Sequence, residues 1–287
     1  MSLINTFNTI INNRPTAKIN EIRLVDDLIS AIKQVYGKKC VAIKAHQNYA
    51  KFNGIKKELC DILLILKFKN HYRFSFIQNK INKKVNYKGL GRFKVNIGQH
   101  YLLTEKPIIQ FKDNQSNILQ NCQYETITDY AVFYKNANGQ YDCDLCSSHK
   151  VCPLSVKEKQ NLVTKRKKSK TINHCFSATT LISQPHKLLE GLSYVNLDDI
   201  ENNPYFGEPI FFPNIHYSFN SLEIETHSFI SYIVNRIIKE NDVEIDVPQW
   251  LYFFEDHENF LERGVLDEVV YLNIKNLVIL NCEKFEE

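Results

Sequence analysis

The sequence predicts an α/β protein: a mixed central sheet flanked by helices, with a Cys-rich insertion and a C-terminal α+β extension. Three observations predict it. A helical apolar stripe over Asn20–Tyr36 precedes two strongly apolar strand-length runs, Leu59–Phe68 and Tyr72–Ile81. The order helix, strand, hairpin, helix gives a sheet that is mixed rather than purely parallel. From Asp142 to Lys170 the chain then turns cysteine-rich, polar and basic. With 287 residues, 44% of them hydrophobic, the chain is large enough to fold without disulfide staples. The expected division is a core over 1–115, the Cys-rich, basic insertion or subdomain over 116–190, and an extension over 191–287.

The elements follow in order. Ile22, Val25, Leu28, Ile29, Ile32, Val35 and Tyr36 recur at helical spacing, and Gly37 stops the helix. Cys40–Ala45 reads as a short strand. Lys69-Asn70-His71 joins the two apolar strands as a hairpin. Ile97–Glu105 reads as the next helix, ended by Lys106-Pro107, and Ile108–Phe111 and Tyr130–Tyr134 as strands before the turn Asn136-Ala137-Asn138-Gly139. Ser221–Lys239 is an amphipathic helix, and Val269–Cys282 contains two candidate strands.

The chemistry concentrates in the hairpin. Asp61 opens an apolar strand, and 17 residues later Gln78 and Lys80 end its neighbour. Residues two apart on a strand share a face, and a short turn lays the start of one strand beside the end of the next. Asp61, Gln78 and Lys80 are therefore expected at one end of the sheet. One carboxylate, a second oxygen donor and substrate phosphate hold Mg2+ or Mn2+. Such an ion activates water for phosphodiester hydrolysis, and a lysine beside it positions the water or stabilises the transition state. At about 100° per residue, Glu21 projects into the stripe of Val25, Leu28 and Ile32, where an unpaired acid is costly. Glu21 is thus expected to reach the metal, with Asp26 and Asp27 facing solvent. The bland alternative is that Asp61 ends a strand, Gln78 and Lys80 are edge residues, and Glu21 complements the helix dipole.

Glu58-Leu59-Cys60-Asp61 followed by Phe76-Ile77-Gln78-Asn79-Lys80 resembles the PD-(D/E)xK, restriction-endonuclease-like nuclease superfamily, in the variant with Gln in the third motif. The resemblance covers roughly the first 110 residues. It implies a restriction-endonuclease-like core and divalent-metal hydrolysis of DNA, occasionally RNA. By this resemblance Asp61 is the principal metal ligand, Gln78 the third-motif ligand, Lys80 the catalytic lysine and Glu21 the helix-borne acid. Gln99, on the following helix, is a secondary candidate for approaching substrate or metal. Bacterial restriction or anti-phage defence is the setting the resemblance implies.

Cys143-Asp144-Leu145-Cys146 with His149 and Cys152 has the composition of a zinc site, with Cys122 and Cys175 as completing ligands. Structural zinc ranks ahead of free thiols, and an iron–sulfur cluster third. Cys40, Cys60 and Cys282 lie in apolar contexts and read as buried small hydrophobes. His71 falls in a turn.

The net charge of +4 is modest, but Lys83, Lys84, Lys88 and Arg92 cluster just after the active-site strand, where they would contact phosphates. Tyr87 and Phe93 either stack on bases or pack. A second basic run, Lys165–Lys170, reads as a solvated loop. The longest apolar run, Ile62–Leu66, is strand-sized, and Met1–Phe7 has no signal-peptide pattern. The expectation is a cytoplasmic protein with no membrane partner. The absence of GxxxxGK[ST] and GxGxxG argues against nucleotide hydrolysis and dinucleotide binding. Two readings compete with the nuclease: a non-catalytic nucleic-acid-binding module on a degenerate nuclease fold with a zinc-stabilised loop, and a protein that docks a partner through its C-terminal part. A homodimer fits enzymes that cut both strands.

Overall fold

The computed structural model describes residues 2–14, 18–45, 51–52, 55–56, 60–82, 92–96, 99–100, 103, 128–148, 171–175, 186–193, 208–211, 230, 234, 237–238 and 274–283. In chain order the elements are α1 (Leu3–Asn13), α2 (Glu21–Tyr36), β1 (Cys40–Lys44), β2 (Lys51–Phe52), β3 (Ile55–Lys56), β4 (Cys60–Lys67), β5 (His71–Ile81), β6 (Arg92–Asn96), β7 (Thr128–Lys135), β8 (Tyr141–Ser147), β9 (Thr171–Cys175), β10 (His186–Lys187), β11 (Glu208–Phe211) and β12 (Ile274–Asn281). A single helical turn, Leu188–Gly191, follows β10. The fold is α/β, with an open mixed sheet.

Six main strands lie in the order β1-β12-β4-β5-β7-β8, with β10 added to β8 and β11 to β5. β4 and β5 form an antiparallel hairpin closed by Phe68 N–H donating to the His71 carbonyl at 2.9 Å. β5 is long enough to take β11 along residues 71–74 and β7 along 76–81 on its other edge. β12 lies antiparallel to β1 and parallel to β4. β2 pairs with β3 and β6 with β9 as two small separate ladders.

Local chemistry explains the helices. The Ser2 side chain accepts from Asn5 N–H at the start of α1, and the Asn20 side chain accepts from Arg23 N–H at 2.9 Å to start α2. Gly37 ends α2 at φ 52°, a left-handed conformation that glycine adopts without steric cost. Leu3, Phe7 and Ile11 of α1 and Leu24, Leu28 and Ile32 of α2 lie buried against Ile62, Leu64, Leu66, Ile77, Phe133, Val278 and Leu280 of the sheet. Phe7 stacks on Phe133 with ring centroids 5.8 Å apart. Each such large side chain contributes roughly 1.5–3 kcal/mol on burial. One sheet face is thus closed by α1 and α2.

Several expectations are met and others corrected. The helix and hairpin appear close to their expected bounds, and Gln99, His100 and Leu103 are helical. Ile230, Val234, Ile237 and Ile238, inside the expected C-terminal helix, are helical and buried. Within the expected 269–282 stretch, Ile274–Asn281 forms the strand β12, and 269–273 lie outside the described residues. The segment expected to open the Cys-rich insertion forms β8, a strand of the main sheet, because Asn136–Gly139 turns the chain back on β7. Strands from 1–115, 116–190 and 191–287 all share this one sheet. Asp27 is fully buried instead of facing solvent, held by Arg14 at 3.0 Å and Arg23 at 3.7 Å. His71 opens β5, stacked on Phe68 with centroids 4.9 Å apart. Cys60 and Cys282 are buried and Cys40 half-buried. The expected strand 108–111 lies outside the described residues. Among the described residues, no helix is long and apolar enough to cross a membrane.

Candidate active site

β4 and β12 begin, and β1 and β5 end, at the same end of the sheet, beside the N-terminus of α2. The β4–β5 register pairs Ile62 with Ile77, so one step further Asp61 lies level with Gln78. The amide Nε2 of Gln78 donates to Asp61 Oδ2, and the Asn79 backbone N–H donates to the same oxygen at 2.8 Å. Lys80, two residues on, places its Nζ 3.3 Å from Glu21 Oε1 and 3.2 Å from Gln99 Oε1. The five side chains singled out in the sequence therefore fall into two hydrogen-bonded groups at this end of the sheet, Asp61 with Gln78 and Lys80 with Glu21 and Gln99. Asp61 is 3% exposed, Gln78 1% and Lys80 7%.

Two further residues complete the group, and neither was singled out in the sequence. Lys275 Nζ donates to Asp61 Oδ1 at 2.7 Å, and Asn276 Nδ2 donates to the Asp61 carbonyl at 2.9 Å. Both open β12, which is inserted next to β4 from more than 200 positions away in the chain. The available signal was the same as for Asp61: polar residues starting an otherwise apolar strand, here Ile274-Lys275-Asn276-Leu277.

The electrostatics are close to balance, with two carboxylates facing two ammonium groups. Burial pushes the Glu21 carboxyl above its ordinary range; Lys80 opposes that shift, and Asp61 adds to it. Gln78 Oε1 is buried with no hydrogen-bond partner among the described residues. A cavity of about 340 Å³ opens beside Asp61, walled by Ile22, Val25 and Ala45 and bordered by Lys44 and Lys275.

Of the four residues expected to hold zinc, Cys143 and Cys146 lie on β8. They stand three apart, so their side chains leave opposite faces of the strand. Cys143 lies in the core packed on α1 and α2. Burial, reinforced by Asp144 and Asp142, pushes its thiol well above the ordinary value. His149 and Cys152 lie outside the described residues. Among the described residues, no three His, Cys, Asp or Glu side chains group as a metal cluster. Lys83, Lys84 and Lys88 also lie outside them, while Arg92 begins β6. Phe93 packs instead of standing free, 3% exposed and 5.4 Å from the Tyr130 ring.

No protein-family model, curated protein or solved structure matches this chain.

Proposed function

We propose that the chain is a divalent-metal-dependent nuclease that hydrolyses phosphodiester bonds in DNA, built on a restriction-endonuclease-like core. The observation that carries this reading is the placement at one end of the sheet of two hydrogen-bonded groups, Asp61 with Gln78 and Lys80 with Glu21 and Gln99, near enough that the Asp61 charge raises the Glu21 carboxyl.

The donors fit a hard cation. Asp61 and Glu21 carry carboxylates and Gln78 an amide oxygen, and Mg2+ is held by one or two carboxylates with waters and substrate phosphate. The buried, unpartnered Oε1 of Gln78 supports such a ligand, since leaving a buried acceptor unpaired costs about 1–3 kcal/mol. Asp61, Gln78 and Glu21 would hold the ion. When bound, it supplies an activated water and neutralises charge growing on the phosphate. Lys80 presents an ammonium to the same space, held by Glu21 and Gln99 so that it meets the phosphate without a search through rotamers. Burial of Gln78 and Lys80 strengthens each of these interactions relative to water.

One observation favours a second reading. Lys275 sits on Asp61 Oδ1, as it would in a nuclease fold that has kept its shape for nucleic-acid binding without cutting. A cleavage assay separates the two. Plasmid and linear DNA are incubated with Mg2+, Mn2+ or chelator, using wild type, Asp61→Ala and Lys80→Ala. Metal-dependent cutting lost in both variants supports the nuclease. Intact DNA under every metal, with its gel mobility shifted, replaces it by the binding module.

A further inference from the structure

Asp61 has two oxygens, and they are held differently. Oδ2 is fixed by groups of β5, the Gln78 amide and the Asn79 backbone N–H. Oδ1 takes its bond from Lys275, whose side chain is 18% exposed. A cation binding at Asp61 therefore has to contend with Lys275. We propose that Lys275 is the resident cation of this site: it neutralises Asp61 in the metal-free chain and moves into the adjoining cavity when a divalent ion takes its place. The inference deepens the proposed metal site and rests on that reading in taking Asp61 as a ligand.

Three features support an exchange over a permanent ion pair. First, the ammonium satisfies Asp61 and leaves Gln78 Oε1 buried without a partner among the described residues. A divalent ion accepts several oxygens at once and, with the Gln78 amide turned over, would engage both. Second, Lys275 has somewhere to go. It borders the cavity of about 340 Å³ whose Ile22, Val25 and Ala45 walls suit the methylene stem of a lysine. Third, Asp61 stays in place while the lysine moves. Asn276 Nδ2 holds its carbonyl at 2.9 Å, and Asn79 N–H holds its carboxylate. Once displaced, the ammonium remains beside the ion, on the side of the cavity, where it would meet an anionic substrate.

The test is Mn2+ binding to the full chain without DNA, measured by titration calorimetry. Replacing Lys275 by Met keeps the length and removes the charge, so Lys275→Met is expected to bind Mn2+ about tenfold or more tightly than wild type. Adding Asp61→Asn to that variant is expected to abolish the binding. Lys275→Arg keeps the charge and grips Asp61 through a planar fork, and is expected to bind Mn2+ about tenfold more weakly than wild type. It also serves if the Met variant does not fold. Unchanged or weaker binding in a folded Lys275→Met variant overturns the proposal, as does unchanged or tighter binding in Lys275→Arg or binding that survives Asp61→Asn. Wild-type DNA cleavage, scored in parallel, separates this outcome from the nuclease reading. Cutting with unaltered Mn2+ affinity in both lysine variants removes only the exchange. Absent cutting with tight, Asp61-dependent binding in Lys275→Met removes only the nuclease.

Discussion

Gln78 reaches across the β4–β5 pair so that its Nε2 donates to Asp61 Oδ2, while its own Oε1 stays buried and unpartnered among the described residues. The amide thus serves Asp61 as a donor. A half-turn of the same amide would present oxygen beside the carboxylate, and the two ends are close in shape.

Gln78→Glu follows from this. In chelator the new carboxylate faces Asp61, and the repulsion is expected to lower stability by about 1–3 kcal/mol. At about 2–4 °C per kcal/mol for a chain approaching this size, the melting temperature falls by several degrees. Mg2+ should reverse the loss, because paired carboxylates hold a divalent ion better than a carboxylate and an amide. Thermal melts in chelator and in Mg2+ check this. A variant that gains no more from Mg2+ than wild type does would remove Gln78 from the ligand set.

Lys80 is positioned by two acceptors on different segments, Glu21 and Gln99. Lys80→Ala is expected to reduce DNA cleavage at least about a hundredfold with DNA affinity nearly unchanged. Gln99→Ala leaves the ammonium on Glu21 alone and is expected to cost about tenfold. Single-turnover cleavage and gel-shift measurements on the same preparations separate the two effects. Equal cleavage by Lys80→Ala and wild type would end the catalytic assignment.

The parts of the site carried by local sequence were legible. The stripe of α2 and the apolar runs of β4 and β5 fix faces and register, so Glu21, Asp61, Gln78 and Lys80 could be placed from spacing alone. Lys275 was not, because nothing local says that β12 enters the sheet between β1 and β4. Strand order is set by long-range packing, which leaves no spacing signal. Asp142-Cys143-Asp144-Leu145-Cys146 misled for a related reason. Its polar residues suggest a loop and its cysteines a ligand pair, yet in β8 they alternate between core and the opposite face, where Asp142 and Asp144 meet Tyr134 Oη at 3.0 and 3.1 Å. Asp27 looked like a solvent-facing acid because its nearer partner, Arg14, lies outside α2; only the longer contact, to Arg23 four residues earlier, falls within helical spacing.

Asn8 joins α1 to the sheet in the manner of a strand. Its Oδ1 accepts from Tyr141 N–H at 2.7 Å and its Nδ2 donates to the Tyr141 carbonyl at 2.8 Å. Asn8→Ala leaves both backbone groups without these partners and is expected to cost about 2 kcal/mol. Asn8→Asp keeps the acceptor and loses the donor, and should fall between wild type and the Ala variant. Urea unfolding midpoints give the order. An Ala variant as stable as wild type would mean that this pairing contributes nothing net.

Asp129 gives the fold a pH dependence whose sign can be worked out. It is buried on β7, where Ser75 Oγ donates to its Oδ2 at 2.5 Å. Burial raises its carboxyl from 3.8 to about 7, with the Ser75 hydroxyl opposing the shift. Below about pH 4 the group is protonated whether the chain is folded or unfolded. Between there and pH 7 the folded chain keeps a proton that the unfolded chain has released, so stability falls as pH rises, by at most about 1.4 kcal/mol per unit. Glu21, Asp27 and Asp142 are raised in the same direction, so the informative quantity is a difference between variants. Asp129→Asn keeps an oxygen for Ser75 and cannot ionise. The melting temperature of this variant minus that of wild type should therefore grow steadily from pH 4 to pH 7 and level off above it, leaving the variant the more stable at pH 8. A difference that stays flat across that range would mean that Asp129 is ionised in the native fold.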